Sequence, residues 1–324
     1  MPRLAIVIRA VRGIDSLERT LVSVLENRPS DCEILVALDR PYADPYELKD
    51  EVRFIPAAKR SSPVAGVNEA FALTRAPFVH LLSSGCTVTE GWTEAALARF
   101  GDRQLASVAP LVMDRERPER IVAAGLGYRA SGRRFLVGRG SCDLPLAPSS
   151  EMVGACSFAA FYRKAALDLV GGFSAQLGMA QADVDLALSL KHAGLTSALE
   201  PQSRVLAADE IDAGEGPFLQ ALHDERLFWR NLPGKRRGSA LVAHAGLVSM
   251  ELVRSFLRPR MLLELAGRTL ACCQIGNYAR RHAALVQLGS RGGRPKSAPE
   301  RVRVDAAHAA SAHSQSAGAR AHSR

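Results

Sequence analysis

Short apolar runs alternate with amphipathic stretches along the first hundred residues. Four of these runs, rich in β-branched and aliphatic residues, are typical of buried strands: residues 4–8, 33–38, 52–55 and 78–82. Leucine and valine recur at helical spacing after the first run, where Asp15 can cap the helix, and residues 64–73 predict a second helix. This alternation predicts an α/β fold with a mostly parallel sheet covered by helices on both faces.

The ends of the predicted strands indicate where a ligand binds. In parallel sheets the carboxyl ends of neighbouring strands meet at one crevice, and ligands bind there. The loops that follow three of the strands, residues 9–12, 39–42 and 83–86, are therefore predicted to face a common site.

The rest of the chain divides by composition. Residues 108–113 predict a strand, residues 114–150 are rich in Arg, Gly and Pro and predict inserted hairpins or loops, and residues 152–162 form a second apolar segment before a helix that ends at Gly171. An amphipathic helix is predicted over residues 183–193, stopped by Gly194. We expect an α/β domain over residues 1–216, a helical, Arg-rich extension over 217–289 and a disordered basic tail over 290–324.

Composition excludes several classes of protein. With 47% hydrophobic and 23% charged residues, the chain is expected to fold. Its longest weakly polar run, residues 240–253, is interrupted by His244 and Glu251 and is shorter than the ~20 residues of a membrane-spanning helix. Residues 4–8 are too short for a secretory signal, and the six cysteines lack C-x-x-C spacing, so we expect a cytoplasmic protein with reduced thiols.

The positive charge is concentrated at the end of the chain. The formal net charge is +9, and residues 290–324 hold seven Lys/Arg against two Asp/Glu. This tail is either solvated or in contact with an anionic surface, and a nucleic-acid partner is not expected. The eight histidines are scattered without the spacing of a zinc site.

Two segments carry a family resemblance. Residues 152–195 read MVGACSFAAFYRKAALDLVGGFSAQLGMAQADVDLALSLKHAGL, and residues 64–92 read VAGVNEAFALTRAPFVHLLSSGCTVTEGW. Over residues 4 to about 230 the chain resembles the family 2 glycosyltransferases of the GT-A fold, especially the rhamnosyltransferase-like members. The resemblance implies a GT-A-type sheet with a C-terminal helical extension. It also implies inverting transfer of a sugar from a nucleotide-diphosphate donor to a hydroxyl of a glycan or lipid-linked acceptor, as in polysaccharide biosynthesis.

The resemblance fails at the metal site. Family members carry Asp-x-Asp after the fourth strand, where it holds Mg²⁺ or Mn²⁺ against the diphosphate, and this chain has Ser83-Ser84-Gly85 there. Hydroxyls alone are poor ligands for these hard cations. A later family histidine is also missing from residues 205–212. This chain therefore lacks the residues that hold the divalent metal in the family. We expect no metal-ligating residues in it, and the sequence identifies no cofactor with certainty.

The resemblance assigns roles to the remaining site residues. Asp183 would be the base that takes the proton from the attacking hydroxyl, although Ala182 replaces the usual Glu before it. Asp183 could instead be a first-turn residue that stabilises the helix N-terminus, and Asp185 could be structural. The nucleotide-sugar side would be formed by Ala10, Asp39, Ser83, Ser84 and Gly85, and the acceptor side by Gly154, Ala155, Cys156 and Asp185.

Protein cations are the predicted replacement for the metal. Charge grows on the leaving diphosphate in the transition state, and guanidinium groups can stabilise it. The candidates are Arg9, Arg12, Lys59, Arg60, Arg226 and Arg230. The alternative for each of them is a solvated basic surface.

Two broader alternatives stay open. Residues 235–281 pair apolar positions with arginines, so these helices either lie at an anionic membrane surface or pack on the α/β domain with arginine outward. The enzyme would then be cytoplasmic or peripheral to the inner face of a membrane. The missing Asp-x-Asp also allows a catalytically silent relative that acts as a binding or scaffold module.

Overall fold

The computed structural model describes residues 1–11, 13–56, 62–143, 151–208, 214–232, 237–256 and 258–276. Its strands are β1 Leu4–Arg9, β2 Cys32–Ala37, β3 Val52–Ile55, β4 Phe78–Ser83, β5 Cys86–Val88, β6 Leu105–Asp114, β7 Ile121–Ala123, β8 Leu126–Tyr128, β9 Arg134–Leu136, β10 Met152–Gly154, β11 Ala159–Arg163 and β12 Thr196–Ala207. Its α-helices are α1 Ile14–Asn27, α2 Pro63–Leu73, α3 Trp92–Arg99, α4 Lys164–Val170, α5 Met179–His192, α6 Pro217–Arg230, α7 Arg237–Ser255 and α8 Arg260–Cys272. A 3₁₀ turn, Leu48–Asp50, precedes β3.

One large sheet organises the molecule, with strand order β3-β2-β1-β4-β11-β6-β12-β5 and β7 paired with β6. The first four strands of this order are parallel, as predicted, with β1 between β2 and β4. Strand β11 then runs antiparallel to both β4 and β6, whereas β12 is parallel to β6. The sheet is therefore mixed, and the carboxyl ends of β1, β2 and β4 open on the same edge.

The burial of the strands agrees with the apolar runs that predicted them. All six residues of β1 are buried, because β1 has a neighbour on each side and apolar side chains on both faces. Helix α2 packs on β1 and β2, and α3 packs on β12 and β6. The largest fully buried side chains include Trp92, Phe158, Phe161 and Phe228.

The inserted segment forms a small second sheet, in the order β10-β8-β9. Strands β8 and β9 are an antiparallel hairpin in which Tyr128 pairs with Arg134. The ring of Phe135 lies directly over Gly127, where a Cβ would be 2.2 Å from the Phe135 Cζ. A side chain at position 127 would displace the Phe135 ring, so this packing of the hairpin relies on glycine there. The prediction of hairpins within residues 114–150 agrees with this arrangement.

Two helix starts differ from the predictions. Helix α1 begins after Gly13, whose φ is 102°, and Asp15 lies in the first turn without capping it. Helix α5 begins at Met179 after Gly178, four residues earlier than predicted. Asp183 is therefore the fifth residue of α5, and the alternative reading of Asp183 as a first-turn residue is wrong.

The C-terminal helices are in close contact. A Cβ on Gly267 of α8 would lie 2.3 Å from the carbonyl oxygen of Phe218 in α6, so the two backbones touch at that glycine. No helix within the described ranges combines the length and the apolar character needed to cross a membrane. Arg12, Lys59, Arg60 and the predicted tail 290–324 lie outside the described residues.

Candidate active site

A cavity of about 620 Å³ opens at the carboxyl ends of β1 and β2. Arg9 and Val11 line it from the end of β1, and Asp39 and Arg40 line it from the loop after β2. Arg40 donates to both carboxylate oxygens of Asp39, at 3.2 and 3.1 Å. Two of the three loops expected to face a common site therefore do so.

The other walls come from segments outside the predicted site. Gly132, Arg133 and Arg134 of the β8–β9 hairpin form one wall, and Met179, Ala180 and Gln181 of the first turn of α5 form the next. The C-terminal extension closes the cavity with Gln220 and Asp224 of α6, His244, Leu247 and Glu251 of α7, and Arg268 of α8. Gly214 and Glu215 complete the lining. Among the described residues, five arginines and four carboxylates face this space.

Arg134 and Asp183 form a bidentate pair beneath the cavity. Arg134 donates from Nε to Oδ1 at 3.2 Å and from Nη2 to Oδ2 at 2.9 Å. Ser157 adds its backbone N–H and its hydroxyl to Oδ2, each at 3.2 Å. The Asp183 side chain is fully buried and does not line the cavity, whereas Arg134 does. Two parallel hydrogen bonds fix the plane of the guanidinium, so Asp183 determines how Arg134 is presented to a ligand.

Ser83 and Ser84 are fully buried and hydrogen bonded within the protein. The Ser83 hydroxyl accepts from Arg9 Nη2 at 3.0 Å and donates to the Ser157 carbonyl at 2.9 Å. The Ser84 hydroxyl donates to the carbonyl of Val11 and accepts from its N–H, at 2.5 and 2.7 Å. Gly85 has a φ of 91°, and its carbonyl accepts from Arg115. These hydroxyls tie β4 to the loop after β1 and set the position of Arg9.

The Ser83 to Gly85 stretch does not fit a divalent metal. It supplies no carboxylate, and both hydroxyls are engaged with protein groups. No group of three or more His, Cys, Asp or Glu side chains that could hold a metal ion occurs among the described residues. Hard divalent cations prefer negatively charged oxygen ligands, which this loop lacks.

Arg226 and Arg230 are held by the protein and do not line the cavity. Arg230 forms a buried bidentate pair with Asp185, at 3.0 and 2.9 Å. Arg226 donates to the Gln274 side chain and to the carbonyl of Gln176. Both arginines thus join α6 to neighbouring segments, and the pair with Asp185 agrees with the structural reading of that aspartate.

The predicted acceptor-side residues are packed. Gly154 faces α5, where a Cβ would lie 2.5 Å from the Cβ of Ala187. Ala155 and Cys156 are 1% exposed, and burial raises the pKa of the Cys156 thiol to about 11. Ala10 is also buried, and its N–H donates to the Ala37 carbonyl at 2.9 Å.

Asp224 is the cavity carboxylate with the least charge compensation. Gln181 and Gln220 donate to its two oxygens at 2.7 and 3.0 Å, and it forms no ion pair with another described residue. Burial raises the pKa of Asp224, against the opposing effect of these hydrogen bonds. A carboxylate in this setting binds a proton more readily than an ordinary aspartate does.

A buried network joins the extension to the hairpin. Glu225 accepts from Trp229 at 2.8 Å and from Arg268 at 2.7 Å, and His244 Nε2 lies 3.1 Å from it. Burial disfavours the Glu225 carboxylate, but the His244 and Arg268 hydrogen bonds outweigh this and hold its pKa below the usual value. His244 Nδ1 donates to the Ser131 carbonyl at 2.7 Å. The network thereby fixes the turn that carries Arg133 and Arg134.

Sequence reasoning missed Arg133, Arg134, Asp224, His244 and Arg268. Arg133 and Arg134 lie in the Arg/Gly-rich insertion. The other three lie in helices that the sequence predicts as a separate C-terminal extension. The only sequence signal for them was the density of arginine in both segments. Their convergence depends on the contacts of α6 with α5 and α8 and of His244 in α7 with the β8–β9 hairpin.

Several known proteins are similar to this chain in sequence or in fold. No family model matches the chain. Over 175 residues it is 30% identical to the pre-mycofactocin glycosyltransferase of two Mycobacterium tuberculosis strains, CDC 1551/Oshkosh and ATCC 25618/H37Rv. That match covers 52% of this chain, and the chain spans 36% of the length of these curated relatives.

Solved structures show the same fold. The structure of GalNAc-T7 with UDP, GalNAc and Mn²⁺ matches with a TM-score of 0.54 at 13% identity, over 70% of this chain and 47% of that one. The mannosyltransferase PcManGT from Pyrobaculum calidifontis, in complex with GDP-Man and Mn²⁺, matches with a TM-score of 0.50 at 14% identity, over 90% and 87% of the two chains. The expected fold class is confirmed. The chain has the GT-A fold and is related, over about half of its length, to curated glycosyltransferases.

Proposed function

We propose that this protein is a glycosyltransferase that moves a sugar from a nucleotide-diphosphate donor to a hydroxyl of a glycan or lipid-linked acceptor, with inversion. The observation that carries the proposal is the cavity at the carboxyl ends of β1 and β2, with Arg9, Arg133 and Arg134 on its walls. Ligands of open α/β sheets bind at this edge. The names of the relatives, and the UDP and GDP-Man bound to the structural neighbours, support a nucleotide-sugar ligand.

In this proposal the diphosphate binds against arginine. Arginine binds phosphate oxygens bidentately, and fixed donors in a dry site stabilise the charge that grows on the leaving group. Arg134 is best placed, because Asp183 fixes its guanidinium and Arg134 still lines the cavity. Arg9, at the end of β1, lines the same cavity and donates to the Ser83 hydroxyl. Arg12 belongs to the same loop by sequence, and Ala10, Asp39 and Ser83 to Gly85 would shape the nucleotide side.

We assign the proton transfer to Asp224 ahead of Asp183. Asp183 is fully buried, is ion-paired with Arg134 and does not line the cavity, so a hydroxyl bound in the cavity does not reach it. Asp224 lines the cavity, and its raised pKa suits a general base. Asp183 then acts through Arg134, and its assignment as the base stays a prediction from the family motif.

A second candidate function is a silent relative that binds nucleotide without turnover. The burial of Asp183, together with the loss of the Asp-x-Asp carboxylates, favours it. In that case the cavity would bind a ligand and perform no chemistry.

One experiment separates the two candidates. A panel of UDP-, GDP- and dTDP-sugars is tested for thermal stabilisation, since a ligand that binds only the folded state raises the melting temperature. Donor hydrolysis is then measured with and without a chelator. Turnover that survives chelation supports the transferase. Stabilisation without turnover supports the silent relative, and neither effect with any donor contradicts both.

A further inference from the structure

Helix α8 has two of its three charged side chains inward and several leucines outward. Glu264 and Arg268 point toward the protein, with side chains 19% and 12% exposed. Leu262 and Leu263 are 68% and 49% exposed, and Leu270 is 42% exposed. A surface helix of a soluble domain shows the opposite arrangement, with the apolar stripe facing the core. The outer face of α8 therefore requires a partner that is itself apolar.

Helix α7 also exposes apolar side chains on the side that faces away from the cavity. Val242 and Val253 are 75% and 74% exposed, and Phe256, just after the helix, is 64% exposed. The inward side of α7 carries His244 and Glu251, which line the cavity. A concentration of exposed apolar side chains on two consecutive helices is typical of an interaction site rather than of scattered exposed side chains. We name this surface the outer face, consisting of Leu241, Val242, Met250, Val253, Phe256, Leu262, Leu263, Leu265 and Leu270.

The rim of the outer face is basic. Arg254 and Arg258 are exposed and form no ion pair with another described residue. Residues 237–276 contain two acidic side chains, and both are paired with arginine: Glu251 with Arg268, and Glu264 with Arg260. Arg254 and Arg258 flank the exposed Phe256 along the chain, and Arg254 also lines a smaller cavity with Glu251 and Glu264.

We propose that the outer face of α7 and α8 docks on an anionic membrane surface. Leucine, valine and phenylalanine would enter the interface between headgroups and acyl chains, while Arg254 and Arg258 would pair with anionic headgroups. The inward sides of α7 and α8 line the cavity, so docking holds the cavity next to the bilayer. Docking at this face does not depend on the proposed reaction.

Charge argues against two other occupants. A two-fold contact between copies brings the same patch of each copy together, which would place Arg254 and Arg258 near their own counterparts. Residues 277–324 carry nine Lys/Arg against two Asp/Glu, so the end of the chain has the same sign as the rim. An anionic bilayer complements both the apolar centre and the basic edge.

Vesicle flotation with the full-length chain and no substrate tests the proposal. Vesicles of phosphatidylcholine are compared with vesicles in which about one third of the lipid is phosphatidylglycerol. We expect binding to the anionic vesicles at least about tenfold tighter than to the neutral ones, and weakened when NaCl is raised from about 0.05 to about 0.5 M. Absence of binding to anionic vesicles at low salt would overturn the proposal.

Variants separate the outer face from the basic end of the chain. Leu262→Asp combined with Leu270→Asp should weaken anionic-vesicle binding at least about tenfold, because burying one leucine stabilises by more than the free energy of a tenfold change. Leu169→Asp in α4, at a leucine that is 46% exposed, is the matched control and should bind as wild type does. Arg254→Gln with Arg258→Gln should reduce binding to anionic vesicles alone.

Two results would contradict membrane docking at this face. Undiminished binding by the folded double-leucine variant would place the lipid contact elsewhere, for example in residues 277–324. Sedimentation velocity showing a dimer that the leucine changes convert to monomer, without vesicle binding, would assign the face to a second copy. Donor stabilisation measured in parallel reports on the proposed function separately.

Discussion

Arg134 engages both carboxylate oxygens of Asp183, and the same guanidinium lines the cavity at the end of the central sheet. Asp183 thereby holds a cation in position at the cavity. The pair joins two segments 49 residues apart, the β8–β9 hairpin and α5. In the proposed function, this cation performs the task that a metal ion performs elsewhere.

Arg134→Lys should lower kcat/KM by about 10²- to 10³-fold, because lysine keeps the charge but loses the bidentate geometry at the developing charge. Asp183→Asn should cost a similar factor, and the double variant little more, since the two residues act as a unit. Steady-state turnover of the donor identified in the ligand panel checks this.

Arg129→Lys is the matched control for that series. Arg129 is on the same hairpin, stacked over Phe135, and does not line the cavity. Its turnover should stay near that of wild type. Normal turnover in Arg134→Lys with none in Asp183→Asn would return Asp183 to the role of base.

Asp224→Asn should abolish the acidic limb of the pH profile along with most of the turnover. Burial raises the pKa of Asp224, so the carboxylate gains its proton at a higher pH than an ordinary aspartate does. A base works only when deprotonated, and activity must therefore fall as the pH drops through this raised pKa. The measurement is kcat/KM against pH for wild type and variant.

Gln220→Glu provides a second readout on the same carboxylate. A negative charge 3.0 Å away, in place of the amide that donates to Asp224, should raise the pKa of Asp224 further and move the acidic limb toward neutral pH. An unmoved limb in this variant would assign it to another group.

Local patterns in the sequence were sufficient to predict the parallel half of the sheet. Strand β3 and the end of α2 fall where the apolar periodicity places them, because neighbouring strands in βαβ order are set by short-range signals. The antiparallel insertion of β11 between β4 and β6 is a long-range pairing, and no local pattern encodes it.

The site was less predictable than the fold. Arg9 and Asp39 follow buried strands, so their place at the cavity could be predicted. Arg134, Asp224 and Arg268 come from three separate segments, and their convergence depends on packing of the helical extension. Arg230 was predicted to bind the diphosphate of a ligand because of its charge. In the structure it pairs with Asp185 instead.

Asp185→Asn should destabilise the fold by about 3–5 kcal/mol, because it leaves the guanidinium of Arg230 buried without a counter-charge. Both side chains of the pair are 3% exposed. The free energy of unfolding in urea measures the effect. Asp168→Asn, which removes an exposed i,i+4 pair with Lys164, should cost no more than about 0.5 kcal/mol. Equal costs would contradict the burial argument.

Gly154→Ala should destabilise by about 1–3 kcal/mol through overpacking. The added Cβ would lie 2.5 Å from the Cβ of Ala187, and a methyl carbon on a helix cannot move aside as the end of a long side chain can. Gly246→Ala in α7 is the control, since nothing lies within 4 Å of its added Cβ. That change should stabilise the protein by up to about 1 kcal/mol through helix propensity. Urea denaturation of both variants checks the contrast in sign.

His80→Phe should make the free energy of unfolding less dependent on pH in mild acid. His80 is fully buried in β4, stacked on Phe161 at 3.8 Å between ring centroids, and burial lowers its pKa to about 3. Between that value and the ordinary histidine pKa of about 6.5, the unfolded chain binds a proton that the folded chain does not. Stability therefore falls as the pH drops below about 6.5, by up to about 1.4 kcal/mol per pH unit from this one residue.

Phenylalanine at position 80 keeps a ring against Phe161 but removes the titrating group, together with the hydrogen bond between Nδ1 and the Ala160 carbonyl at 3.2 Å. The His80→Phe protein should be somewhat less stable than wild type at neutral pH, and the difference should shrink or reverse toward pH of about 4, because only wild type loses the proton-linked term. Urea unfolding at a series of pH values gives the two slopes. Parallel slopes would show that another group controls the acid sensitivity, and that His80 is protonated in the folded core.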